Sequence, residues 1–299
     1  MVEIYIGSGI IVIVFLILQM VVLATEWDVS TATYTGEGSV ASETSNPSGA
    51  NISSDGSLIY LCGITQVDVF EYDLNTPWVA SSIDSSDERS FDLSNEDASN
   101  GYGIFVKPDG TKFYTSSFYG SIWQYSMDAW DLSTAAYDNK SFNPDEITDP
   151  ARFFFKPDGL KVYILDLLTD DVFQYSLSPA WDISSANYDT KTFDFTAKDD
   201  IMVGLWIKPD GTKIYMIGSQ NDKVYQYTLT TPWDISSAND DSKECDISAK
   251  EGHPAGLFFK SDGTEFYYAG PDGNSIDQWS MPLAEEEKKA NVIFFGTNF

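Results

Sequence analysis

The chain has 299 residues, 42% hydrophobic and 15% aromatic, which is too apolar for a disordered polymer and enough for a sizeable core. Its 46 acidic residues face 17 basic ones, and a formal charge of −29 repels phosphate backbones, so nucleic acid is excluded as a partner. Two cysteines at non-equivalent places, Cys62 and Cys245, and a single histidine rule out a disulfide framework and a histidine-rich metal centre.

From Ile4 to Ala24 there are 21 consecutive residues without a formal charge. As a helix they would run about 31 Å, the thickness of a bilayer core. Residues 1–25 are therefore expected to be a hydrophobic helix that spans a membrane against lipid, or packs with copies of itself in a filament core or virion membrane. Gly7 and Gly9 would permit close helix approach. The competing reading is a cleaved secretory leader ending at Val22-Leu23-Ala24, but Glu3 and the lack of any Lys or Arg before the apolar stretch speak against it. An acidic domain behind a first hydrophobic segment is expected to be extracytoplasmic or virion-associated.

Next comes a block repeated five times. Asp55-Gly56, Asp109-Gly110, Asp158-Gly159, Asp210-Gly211 and Asp262-Gly263 recur every 49 to 54 residues, and a tyrosine stands five residues after each Asp: Tyr60, Tyr114, Tyr163, Tyr215 and Tyr267. A period near 50 points to propeller blades or solenoids. Within a block, an apolar run such as Gly204-Leu205-Trp206-Ile207 enters Lys-Pro-Asp-Gly, whose Pro and Gly suit a tight turn, and leaves as Lys213-Ile214-Tyr215-Met216-Ile217. A third run, such as Val224-Tyr225-Gln226-Tyr227, precedes a Pro-Trp-Asp-Ile-Ser-Ser-Ala element whose tryptophans, Trp27, Trp78, Trp130, Trp181 and Trp233, are 51 or 52 apart. A fourth run, such as Lys191-Thr192-Phe193-Asp194-Phe195, closes the block. Four antiparallel strands make a propeller blade.

The fold class is thus an all-β propeller of five four-stranded blades over residues 26–284, with a tail over 285–299. Because Trp27 precedes the first complete block, residues near Thr35 to Val40 read as a fourth strand without its first three, suited to completing the last blade and removing an open edge. The apolar Asn291-Val292-Ile293-Phe294-Phe295 run in the tail is the alternative closing strand, or pairs with a neighbouring subunit.

The blocks, clearest at Phe105-Val106-Lys107-Pro108-Asp109-Gly110-Thr111-Lys112-Phe113-Tyr114 and followed by Val-x-Gln-Tyr and Pro-Trp-Asp-Ile-Ser-Ser-Ala elements, resemble the propeller-repeat proteins of marine bacteria and their viruses. They are more loosely similar to lactonase-like and WD-repeat-like propellers. The likeness covers residues 27 to 281 and implies fold, not chemistry. Val79 departs from the pattern where Asp follows the other tryptophans, as does Ser57-Leu58 at the start of the second strand.

In a propeller the first turn and the third loop of each blade share a face, so the repetitive elements lie on one side, expected nearest the N-terminal segment. The opposite loops, 63–67, 117–120, 166–170, 218–222 and 269–274, have no common chemistry, as a binding surface would not. The innermost strands start at Gly49, Gly103, Arg152, Gly204 and Gly256, with Asn46, Asn100, Asp149, Ile201 and His253 three residues earlier. Asn46, Asn100, Asp149, Arg152 and His253 are the ligand-binding candidates at the channel mouth. Arg152 beside Asp149 either holds an anionic group or forms a structural ion pair. Tyr119 and Tyr268 are candidates for stacking on sugar rings.

His253 has no partner motif, so no histidine-based nucleophile can be assembled, and no catalytic residue or cofactor is expected. Only weak calcium binding at Asp199-Asp200 or Asp240-Asp241 is considered, and neither fits a calcium loop. The expected function is a non-enzymatic surface module that binds glycans or serves structurally on a cell envelope or virus particle, beside other envelope or virion proteins. The alternatives are a lactonase- or glycosidase-type hydrolase with carboxylates at the mouth and a filament subunit.

Overall fold

The structure, a computed structural model, describes residues 2–7, 10–15, 26–41, 46–63, 67–94, 101–117 and 120–281. Val2–Gly7 and Ile10–Phe15 pair as antiparallel strands, with Gly7 opposite Ile10. This corrects the expected N-terminal helix: Ile10–Phe15 reads Ile-Ile-Val-Ile-Val-Phe, and side chains branched at Cβ favour the pleated strand over the helix. Among the described residues no helix is long and apolar enough to cross a membrane. Residues 16–25 and the tail from 282 lie outside the described residues.

Five four-stranded antiparallel blades follow. Blade one runs Pro47–Ile52, Leu58–Gly63, Asp68–Leu74 and Ile83–Asp92; blade two runs Gly101–Val106, Lys112–Ser117, Ile122–Asp128 and Asp131–Phe142. Blade three comprises Pro150–Phe155, Lys161–Asp166, Asp171–Ser176 and Asn187–Asp194; blade four Met202–Ile207, Lys213–Gly218, Lys223–Leu229 and Ala238–Asp246. Blade five takes Ala255–Phe259, Glu265–Gly270 and Ser275–Ser280 from the C-terminal side and its outer strand, Thr33–Ser39, from the N-terminal side. Of the two candidate closing strands, the N-terminal one thus completes the ring. Consecutive innermost strands neighbour one another, the fifth against the first.

Each landmark of the repeat has a mechanical role. The Asp-Gly glycines hold φ between 72° and 79°, where a side chain is strained, and each lies under the tryptophan of its own blade. Trp233 N donates to Gly211 O at 3.0 Å, and Trp27 N to Gly263 O at 3.1 Å. A Cβ on Gly211 would stand 2.4 Å from Trp233 Cε2. Gly211→Ala is therefore expected to lower stability by about 2–4 kcal/mol in urea unfolding; a change within experimental error would mean the tryptophan is not seated as described.

Other landmarks reach the next blade. Tyr114, Tyr163, Tyr215 and Tyr267 donate their hydroxyls to the carbonyls of Trp181, Trp233, Trp27 and Trp78 at 2.7–2.8 Å. The turn lysines Lys107, Lys156, Lys208 and Lys260 lie 5.3–5.7 Å from the ring centroids of those same tryptophans. Buried glutamines complete the set: Gln174 Oε1 accepts from Ile235 N at 3.0 Å while its Nε2 donates to Asp189. A buried amide that spends both ends this way fixes the rotation of one blade on the next.

The departure at Val79 follows from the same logic. Lys140, Lys191 and Lys243 on the outer strands of blades two to four pair with Asp182, Asp234 and Asp28 of the following blade at 2.6 Å. Each of these lysines lies opposite the bridging glutamine of its own blade, and in blade five the residue opposite Gln278 is Gly36. Among the described residues no lysine reaches from blade five, and blade one carries valine where the others carry aspartate.

Candidate functional site

Arg152 divides the central channel. Register shifts at the start of the innermost strands leave Tyr102 and Val203 as bulged residues outside the strand pairing. Arg152 Nε donates to Val203 O at 2.7 Å and Nη1 to Tyr102 O at 2.5 Å, with the guanidinium 5.3 Å from the Tyr102 ring centroid. One side chain thus ties blade two to blade four across the axis. The glycines of the ring serve the close approach of neighbouring innermost strands: a Cβ on Gly103 would lie 2.6 Å from Ala151 O, and one on Gly204 would lie 2.8 Å from Gly256 C. Burial pulls the Arg152 pKa down from its ordinary value, and nearby negative groups including Asp149 oppose that shift.

Below this plug lies an apolar funnel of about 260 Å³, lined by Phe105, Phe154, Trp206 and Phe258 with the turn prolines at its rim. Above it opens a cleft of about 560 Å³ in which polar side chains stand among Leu167, Val203, Pro254, Ala255 and Pro271. Asn46, Tyr102, Ser219, His253, Asp272 and Asn274 line the cleft around Arg152. Asn46 has φ 106°, and its amide donates to Asn274 Oδ1 at 2.8 Å.

Of the residues expected at the mouth, Asn46, Arg152 and His253 share this cleft. Asp149 is buried instead, with its amide on Asp166 Oδ1 and its carbonyl accepting from Ala151 and Leu167. Asn100 and Tyr119 lie outside the described residues. Tyr268 is not a sugar platform: strand alternation turns it inward, fully buried, where its hydroxyl accepts from Trp279 Nε1. Three of the four candidate calcium ligands are engaged internally as well. Asp240 pairs with Lys198, Asp241 with Lys213, and Asp199 accepts from Ile201, Gln220 and Asn221 amides.

The sequence reading left His253 without a partner, and this is corrected. Its Nδ1 lies 3.0 Å from Asp272 Oδ1, which raises the His253 pKa and lowers that of Asp272. Glu251 joins them, its Oε1 accepting from the His253 and Asp272 amides at 2.9 and 3.4 Å. The signal was available in the hairpin: Ala255 lies opposite Ala269, so the loops leading into and out of that strand pair must meet. Glu251 and Asp272 oxygens come within 4.8 Å, but Glu251 is turned into the loops, so they do not both face the cleft as a glycosidase pair must.

No protein-family model matches the chain, and no curated protein matches it. Among solved structures, it is similar to a protein of unknown function from Desulfotomaculum acetoxidans, with a TM-score of 0.47 and 10% identity over 75% of this chain and 65% of that one. It is also similar to a proposed 6-phosphogluconolactonase from Bacteroides uniformis, with a TM-score of 0.47 and 15% identity over 75% of this chain and 64% of that one. The chain therefore spans a little under two thirds of the length of either. The propeller assignment rests on the strand pairing described above.

Proposed function

We propose that the protein is a binding module whose upper cleft takes a neutral polyhydroxylated ligand of the saccharide class. The observation that carries this reading is the Tyr102 ring, held against the Arg152 guanidinium at the floor of a cleft whose walls offer Asn46, Ser219, His253, Asp272 and Asn274 as hydrogen-bonding groups. Polar groups that converge around one aromatic ring suit a sugar, which presents hydroxyls at its edge and C–H groups on its face. The large negative charge disfavours acidic glycans.

Display from a surface fits the path of the chain. Trp27 N bonds Gly263 O and Met281 N bonds Thr264 O, so the propeller is entered and left beside the same lower-face turn, away from the cleft. In this reading the apolar N-terminal segment holds the propeller to a membrane, to other copies or to envelope or virion proteins.

A glycan array followed by calorimetry tests the proposal. Binding of a neutral glycan that Tyr102→Ala weakens by about tenfold or more is expected, since a stacked aromatic contributes ~1–2 kcal/mol. Binding untouched by that change, or no binding across the array, sinks it. A second reading, hydrolysis, is favoured by the His253–Asp272 pair, in which the carboxylate orients an imidazole open to the cleft. Turnover of a lactone or glycoside that His253→Ala abolishes would replace binding by catalysis.

A further inference from the structure

Behind His253 and Asp272, two buried carboxylates converge, with Lys250 acting on Asp277 from beyond ion-pair range. Glu251 and Asp277 are each 2% exposed, and neither has a lysine, arginine or histidine in ion-pair range among the described residues. Their oxygens meet over Gly270: a Cβ there would stand 2.5 Å from Glu251 Oε2, 2.6 Å from Asp277 Oδ2 and 2.9 Å from Ser275 Oγ. Ser275 donates to Asp277 Oδ2 at 3.1 Å, but Asp277 Oδ1 is buried with no hydrogen-bond partner.

An oxygen in that state costs about 1–3 kcal/mol, and more when it carries charge. Two buried carboxylates this close cannot both ionise unless positive charge joins them.

We propose that Glu251, His253 and Asp272, with Asp277 behind them, bind one divalent cation of the zinc or manganese class at the rim of the upper cleft. The donor set decides the class. Carboxylates alone suit calcium or magnesium, whereas an imidazole among them selects a first-row transition ion. One donor atom from each of Glu251, His253 and Asp272 already lies within 4.8 Å of the others. The His253 and Asp272 side chains are 76% and 55% exposed, within reach of a cation from solvent, while Glu251 is anchored by two backbone amides. Asp277 lends its negative charge from the buried side. The cation would stand beside the walls that offer hydrogen bonds to a ligand.

Titration of the full-length protein with Zn²⁺, Mn²⁺ and Ca²⁺, followed by calorimetry, tests the site without reference to any glycan. One equivalent of Zn²⁺ or Mn²⁺ is expected to bind more tightly than Ca²⁺, weakened about tenfold or more by His253→Ala and by Asp272→Asn. Asp240→Asn, on the outer strand of blade four, should leave it unchanged. Both ligand variants alter exposed side chains, and matching unfolding curves would confirm that the fold is retained. No stoichiometric binding, a preference for Ca²⁺, or binding that survives His253→Ala would overturn the assignment.

Discussion

Deleting residues 1–40 is expected to abolish cooperative folding of the propeller, whereas deleting residues 1–25 leaves its unfolding transition in place. The longer deletion removes the outer strand of blade five and exposes Ser275–Ser280 as an edge. It also removes Trp27, which stacks on Trp206 and Phe259 with ring centroids 5.5 and 6.3 Å apart; loss of a buried tryptophan alone costs about 3–5 kcal/mol. Blade four loses its neighbour contacts at the same time. Tyr215 donates to Trp27 O at 2.8 Å, Gln226 accepts from Val29 N at 3.2 Å and Lys243 pairs with Asp28 at 2.6 Å. Together these losses are comparable with the whole stability of an ordinary domain, about 5–15 kcal/mol. Circular dichroism and denaturant unfolding of the two truncations decide the matter. Equal midpoints would show that the ring does not depend on its N-terminal closure.

The second large effect is expected at Arg152. Arg152→Leu should destabilise the protein by about 2–4 kcal/mol, because the carbonyls of Tyr102 and Val203 sit on bulges and lose the donor that serves them across the channel. Arg152→Lys should recover little of this, since one ammonium on a flexible stem cannot reproduce the two-sided contact of a planar guanidinium. Urea denaturation reads both changes. Stability within about 0.5 kcal/mol of the parent would show that the ring does not depend on the arginine.

The contrast between those two positions runs through the molecule. Trp27 could be recognised because it repeats a pattern of turn glycine, tyrosine and tryptophan whose causes are local: an Asp-Gly turn that requires positive φ, strands of alternating polarity, and an aspartate that caps a short turn. Such features recur at a fixed period whatever surrounds them. Five blades, the shared face of the repetitive loops and the candidate closing strand could be read in this way.

Arg152 stood out as the odd member of a ring of glycines, but its partners could not be named, since the bulges at Tyr102 and Val203 arise where neighbouring innermost strands crowd the axis. The same holds for Tyr268, turned inward by register, and for Val79, which answers Gly36 across a blade boundary. It holds for His253, whose partner Asp272 arrives from the far side of a hairpin. The hydrophobic N-terminus shows the converse case, where length and apolarity suggested a helix but β-branched residues favoured strands. Turns and strand periodicity come from interactions a few residues long and are written in order along the chain. The channel plug, the blade-to-blade pairs and the acidic cluster depend on residues that become neighbours only once the ring has closed.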